Sequence, residues 1–164
     1  MVGIELTGTD RLLDALDELG ATFKDFRPVF IEASREFYQI EREQFASEGR
    51  SGTSGKWNPL TRAYAKWKQV AAPGKPILEL TGTLRRSLTR PNARYSTRRI
   101  TEEELLIGTT DPKAVFHFRG TKKMPARPPV SLTAEQNRRI IKVVRDGLIG
   151  EIKRGGKFLI VEVG

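Results

Sequence analysis

Between Phe23 and Gln44 the chain returns an apolar side chain to the same side every third or fourth residue. Phe23, Phe26, Phe30, Ala33, Phe37 and Ile40 lie on one stripe that runs on to Gln44, while Asp25, Glu32, Arg35, Glu36, Glu41, Arg42 and Glu43 occupy the other faces. That period fits an α-helix and not a strand, so the chain is committed to a long helix from roughly Lys24 to Ser47. Pro28 is compatible with it only in the first turn or at a kink, because the ring removes a backbone donor and crowds the preceding turn. Burying one phenylalanine is worth roughly 1.5–3 kcal/mol, so a stripe carrying several of them demands a covering surface. The stripe reads as core rather than as a ligand box.

The remaining segments supply candidates for that cover. Val2 to Thr7 alternates weakly and reads as a short strand; Thr9 then caps a helix with Asp10 in its first turn, Leu12, Leu13, Leu16 and Leu19 along one side, and Gly20 at its end. Residues 49–76 open on Gly and Ser and close on Pro and Gly, which predicts a long mobile loop around one short helix. In that helix Trp57, Leu60, Tyr64 and Trp67 are expected on one face, interleaved with Arg62, Lys66 and Lys68. Thr81-Gly82-Thr83 caps a short helix Leu84 to Leu88. Arg94 to Ile100 and Glu104 to Thr109 pair as antiparallel strands around Thr101-Glu102-Glu103. Ala114 to Phe118 is a short apolar element, and the prolines of Lys122 to Pro129 hold that stretch extended. Thr133 caps a helix reaching about Lys153, with Ile140, Ile141, Val144, Leu148 and Ile152 on its buried side, and Lys157 to Val163 closes as a strand or arm. The fold class is therefore α+β: a long N-terminal helix and a C-terminal helix packed on a small antiparallel sheet. Its length of 164 residues suits a single domain, 1–164, including the loop 49–76, an extended arm and a possible C-terminal arm 155–164.

Charge is distributed unevenly along this frame. The net charge is +9, but residues 1–48 carry 5 basic and 11 acidic side chains (net −6), residues 49–100 carry 12 and 1 (net +11), and residues 101–164 carry 12 and 8 (net +4). A protein that only coats nucleic acid gains nothing from an acidic first third, because carboxylates beside phosphates weaken binding. A bipolar chain can instead pair with copies of itself, although most single charges are simply solvated.

Several chemistries are excluded or disfavoured by what the sequence lacks. Without cysteine there is no disulfide framework, no thiolate zinc site and no cysteine nucleophile. A single histidine, His117, rules out a multi-histidine metal site, and its place between Phe116 and Phe118 suits a packed imidazole better than a general base. The longest apolar run, Phe158 to Val161, is far too short for a membrane span, and Met1 to Gly20 lacks the form of a signal peptide. The chain is expected to stay in the cytoplasm or to leave only within something larger. Gly49 to Lys56 has an outward likeness to a phosphate-binding loop but fails as one: its glycine spacing is too long, Trp57 stands where a magnesium-binding Ser or Thr belongs, and a helix precedes it. The basic-aromatic stretch Lys56 to Lys68 could stack single-stranded bases, although packing is the better account of its rings. Arg85-Arg86 and Arg98-Arg99 suit phosphate contacts or an acidic neighbouring subunit equally well.

Three separated pieces carry a resemblance. They are Phe45-Ala46-Ser47-Glu48-Gly49 with Gly55-Lys56-Trp57-Asn58-Pro59-Leu60; Ile77 through Leu88 (Ile-Leu-Glu-Leu-Thr-Gly-Thr-Leu-Arg-Arg-Ser-Leu); and Ile107-Gly108-Thr109, His117-Phe118-Arg119-Gly120 and Pro125-Ala126-Arg127-Pro128. In order and spacing the set resembles the virion morphogenesis or tail-completion family of tailed bacteriophages, over about half of the chain. One departure is Phe118, where the family commonly has glutamine, so any hydrogen bond from that amide is absent. The Lys157 to Val163 tail has no counterpart in the family pattern.

The resemblance implies a non-enzymatic structural protein of the virion, with no cofactor and no membrane contact, assembled in the host cytoplasm. It implies a homo-oligomeric ring, sixfold or twelvefold, at the head-proximal end of the tail. The ring would meet the head connector or adaptor on one side and tail tube or tail terminator proteins on the other. The candidate subunit-interface residues are Trp57, Leu60, Trp67, Arg85, Arg86, Arg98, Arg99 and Arg127, against an acidic counter-face of Glu32, Glu36 and Glu43. Trp57, for its area, and Arg127, held between prolines, are the expected anchors, whether to a neighbour or within the chain. The alternative is a DNA-binding module touching the genome end in the neck, which needs the basic residues to converge on one surface. A hydrolase or nuclease is weaker still.

Overall fold

A computed structural model describes residues 2–5 and 25–153 of the chain, with side chains over 25–150. The helix expected after Thr9, the stripe position Phe23, and the strand or arm Lys157 to Val163, with the rest of 155–164, lie outside the described residues. The elements in chain order are β1 (Val2–Glu5), α1 (Arg27–Ala46), α2 (Arg62–Ala71), α3 (Thr83–Thr89), β2 (Ser96–Ile100), β3 (Leu105–Thr109), α4 (Pro112–Arg119) and α5 (Ala134–Lys153).

The long helix α1 is the spine. Pro28 falls in its first turn, where a missing donor costs nothing, and the Asp25 carboxylate accepts the Arg27 backbone N–H at 2.9 Å in place of a conventional cap. Phe26, Phe30, Ala33, Phe37 and Ile40 are all buried, as the stripe requires. Helix α5 lies antiparallel on α1: Arg139 bridges Glu36 and Glu43, while Gly147, further along α5, meets Val29 near the start of α1. A Cβ at Gly147 would stand 3.2 Å from a Val29 methyl, so glycine sets how closely the helices approach. The start of α5 is a capping box, in which Thr133 Oγ1 accepts the Gln136 N–H at 3.1 Å and Gln136 Oε1 accepts the Thr133 N–H at 2.8 Å.

The sheet is three-stranded, antiparallel throughout, in the order β1-β3-β2. In the hairpin Ser96 stands opposite Thr109 and Ile100 opposite Leu105, with Thr101 Oγ1 accepting the Glu103 and Glu104 amides in the turn. On the other side Val2 faces Thr109 and Glu5 faces Leu106. Leu105 and Ile107 are buried, and α3 packs against β2, β3 and α1 with Leu84 and Leu88 inward. Thus the α+β architecture is as expected, but α5 reaches the core chiefly through α1, and α1 and α3 cover the sheet.

Four local expectations are corrected. The helix of 49–76 begins only at Arg62, capped by Thr61, so Trp57 and Leu60 precede it and share no face with Tyr64 and Trp67. The Ala114 to Phe118 element is a helix, opened by the Asp111 carboxylate on the Lys113 amide and by Pro112 at its first position. Ile141 is 57% exposed, because Ile140, Val144 and Leu148 at intervals of four already define the buried line of α5. Glu41, assigned to an outer face, is 0% exposed, since α1 is covered by α5 on one side and by α3 and the sheet on another.

Candidate functional site

Trp57 and Arg127 anchor the chain to itself. Trp57 is 2% exposed, packs edge-on against Phe45 with ring centres 5.4 Å apart, and donates from Nε1 to the Pro128 carbonyl at 3.0 Å. Its indole lies directly on Gly49, at φ +94°, where a Cβ would come within 2.6 Å of the ring. Arg127 is 3% exposed; Nε donates to the Asn58 carbonyl at 2.7 Å, Nη2 to the Pro59 carbonyl at 2.9 Å, and its backbone N–H to the His117 carbonyl at 2.7 Å. Burial draws the guanidinium pKa down. The two residues form a reciprocal clasp between the Asn58–Pro59 turn and the proline arm, and neither is available to a neighbouring subunit. Further bonds from Thr53 N to the Ser131 carbonyl and from Trp57 N to the Glu48 carbonyl tie 49–61, read as a mobile loop, onto the body.

The acidic counter-face is also engaged internally. Arg139 holds Glu36 at 2.7 Å and Glu43 at 3.0 Å, and Glu32 pairs with Arg35. The hydrogen bond from Arg139, with a second from Gln39, holds the Glu43 carboxyl below its ordinary range. The arginine pairs do not form clusters. Arg98 and Arg99, as neighbours on a strand, point to opposite faces: Arg98 donates to Ser34 Oγ at 3.2 Å, and Arg99 pairs with Glu104 at 2.9 Å. Arg85 pairs with Glu79 at 3.3 Å, and the exposed Arg86 lies over Gly82.

What remains open is a cationic and aromatic surface. Of the twelve basic side chains in 49–100, only Arg85 and Arg99 make an ion pair among the described residues. Tyr64 and Trp67 stack at 5.3 Å on the outside of α2, with Trp67 half exposed, and Val115, Phe116 and Phe118 are exposed on α4. Between these helices a cavity of about 350 Å³ is walled by Leu60, Tyr64, Ile77, Leu78, Leu84 and Met124, with Lys68, Lys113, Lys123, Arg127, Glu79, Asp111 and His117 as ionisable groups. Asp111 is 3% exposed, its Oδ2 has no hydrogen-bond partner, and neither does His117 Nδ1. Burial pushes the His117 pKa down, reinforced by Arg127 and Lys113, while Asp111 opposes the shift, so the site favours the neutral imidazole. Of the sequence candidates, Leu60 and Arg127 line this cavity, and Trp67 stacks on Tyr64 of its wall. The cavity was not foreseen; the Asp111-Pro112 start and Gly120 end of α4 were the available signals.

Among the described residues no group of three or more His, Cys, Asp or Glu could hold a metal ion, and no helix is long and apolar enough to cross a membrane. The arrangement is suited to binding a partner with apolar side chains and negative charge. No curated protein and no solved structure matches the chain. The sequence profile of the phage virion morphogenesis family matches residues 7–148, well over half of the length, and the chain belongs to that family.

Proposed function

We propose that the protein is a non-enzymatic structural component of the virion that forms a closed homo-oligomeric ring at the head-proximal end of the tail, completing the tail and joining it to the head connector. Family membership gives the role in virion morphogenesis. The ring reading is carried by one observation: the fold neutralises most of its described carboxylates internally but leaves all the cations of 49–100 except Arg85 and Arg99 without ion pairs among the described residues. A heterologous interface, in which two different surfaces of each copy meet, closes into a ring when the rotation permits. An excess of unpaired cations suits such a joint, because it can meet an acidic surface of the next copy.

Negative-stain images of the purified protein, and of virions carrying a labelled copy, test this reading. Closed rings and label at the head–tail junction are expected; a monomer at all concentrations, or label elsewhere on the particle, sinks it. The same unpaired cations favour a second reading, contact with DNA passing through the neck. Anisotropy with a labelled duplex separates the two, because DNA binding carries a steep inverse dependence on salt.

A further inference from the structure

We propose that the cavity between α2 and α4 is a docking pocket for the acidic, leucine-bearing stretch 10–19 of a neighbouring copy. The inference rests on the ring reading and names the joint that closes it.

The pocket is built for a partner with an apolar edge. Its walls are largely aliphatic, and its volume of about 350 Å³ lies in the range that accommodates ligand-sized groups. Exposed aromatic side chains extend the apolar surface outward, since Trp67 stacks on Tyr64 and Phe116 and Phe118 flank His117. Exposed large apolar side chains close to a cavity in this way suit an interaction site. Asp111 Oδ2 and His117 Nδ1, both buried and unpartnered on cavity-lining residues, stand ready for hydrogen-bonding groups of an incoming chain. Lys113 and Lys123 at the cavity make no ion pair among the described residues, and the same is true of Lys66 and Arg119 nearby in sequence. The lining carries the cations Lys68, Lys113, Lys123 and Arg127 against the carboxylates Asp111 and Glu79, the latter already paired with Arg85, so an apolar and acidic occupant is favoured.

The chain itself contains such a segment. Asp10, Asp14, Asp17 and Glu18 alternate with Leu12, Leu13, Leu16 and Leu19. Their placement lies outside the described residues, and in sequence they form an acidic run of the first third. The anchors of this segment are compatible with a second copy as the donor. It leaves β1 at Glu5, opposite Leu106, and rejoins at Asp25, beside Phe26, whose amide donates to the Glu102 carbonyl at 2.9 Å. Both anchors are at the hairpin-turn end of the sheet, whereas Asp111 in the pocket wall follows the other end of β3. A segment offered at one end and a pocket at the other make a head-to-tail joint, the heterologous geometry a ring requires.

A labelled peptide of residues 8–21 tests the pocket in the full-length protein. It should bind, and affinity should fall by about tenfold or more for Lys113→Glu/Lys123→Glu protein and for an Asp14→Lys/Asp17→Lys peptide. Both lysines are exposed, so the fold should tolerate the change. Affinity unchanged by either substitution overturns the proposal. Mass photometry then tests donation between copies. Full-length Lys113→Glu/Lys123→Glu and Asp14→Lys/Asp17→Lys proteins should each stay monomeric alone, co-assemble into rings of alternating copies when mixed, because every joint between unlike copies then carries opposite charges, and form rings when the four changes share one chain. Rings from either variant alone overturn the pocket while the ring reading stands. Peptide binding to a wild-type chain that never assembles supports the pocket and overturns the ring.

Discussion

At the residue scale, the side chain most at odds with its surroundings is Glu41. It is fully buried, neither oxygen has a hydrogen-bond partner, and burial pushes its pKa well above the ordinary carboxylate range. A group whose pKa is raised by folding imposes no penalty below its unfolded pKa and an increasing one as pH rises toward its folded pKa. Glu41→Gln should therefore stabilise the fold at about pH 8 more than at about pH 4, with a difference on the order of 1–3 kcal/mol in thermal melts at the two pH values. A gain equal at both would show that the carboxyl does not titrate against the fold. Arg127 is a second residue with a defined demand: two carbonyls in a fork that lysine cannot span. Arg127→Lys should cost about 1–3 kcal/mol in urea unfolding, because one carbonyl loses its donor inside the molecule. Composition marked Trp57 and Arg127 as anchors but left their direction open. Their partners are backbone carbonyls of Pro128, Asn58 and Pro59, about 70 positions away, and no local pattern reports such contacts.

At the element scale, the helices with strong periods and caps were legible, and the exceptions have physical causes. α1 is announced by its stripe and α5 by Thr133 and the Ile140, Val144, Leu148 line. α4 was read only as apolar because its large side chains, Val115, Phe116 and Phe118, face outward, so they give no buried period. The extent of α2 was misread because Trp57 shares its aromatic character but belongs to the core. The outward face of α4 yields a separate prediction. Phe116→Ser/Phe118→Ser should leave unfolding within about 0.5 kcal/mol of wild type, as for exposed substitutions generally, while reducing self-association in sedimentation velocity. A large loss of stability would mean that the rings are covered within the monomer.

At the scale of the whole molecule, the fold class and the charge asymmetry were both readable, one from period and turn chemistry, the other from counting. Which charges the fold pairs internally was not readable: Arg139 reaches Glu36 across 103 positions and also holds Glu43, engaging within the chain two partly exposed carboxylates that the sequence offers to a neighbour. The asymmetry is sharper than the sum of +9 conveys, with the cations of 49–100 other than Arg85 and Arg99 in no ion pair among the described residues and acidic residues concentrated in 10–18 of the sequence. If these attract across copies, assembly should weaken as salt shortens the Debye length from about 30 Å at 0.01 M to about 3 Å at 1 M. Light scattering across that range should show rings giving way to monomers, and association indifferent to salt would place the joint in apolar contacts alone.

The clasp of Trp57 and Arg127 bears on how such a joint can be weak and yet reliable. Two irregular stretches that would otherwise sample many shapes are fastened to each other before any partner arrives, so docking has little left to freeze. Each rotamer-rich side chain that need not be immobilised on contact saves about 0.5–1.5 kcal/mol. A joint that forfeits so little disorder can be small, reversible while subunits are still finding their places, and secure once every position in a closed circle is filled.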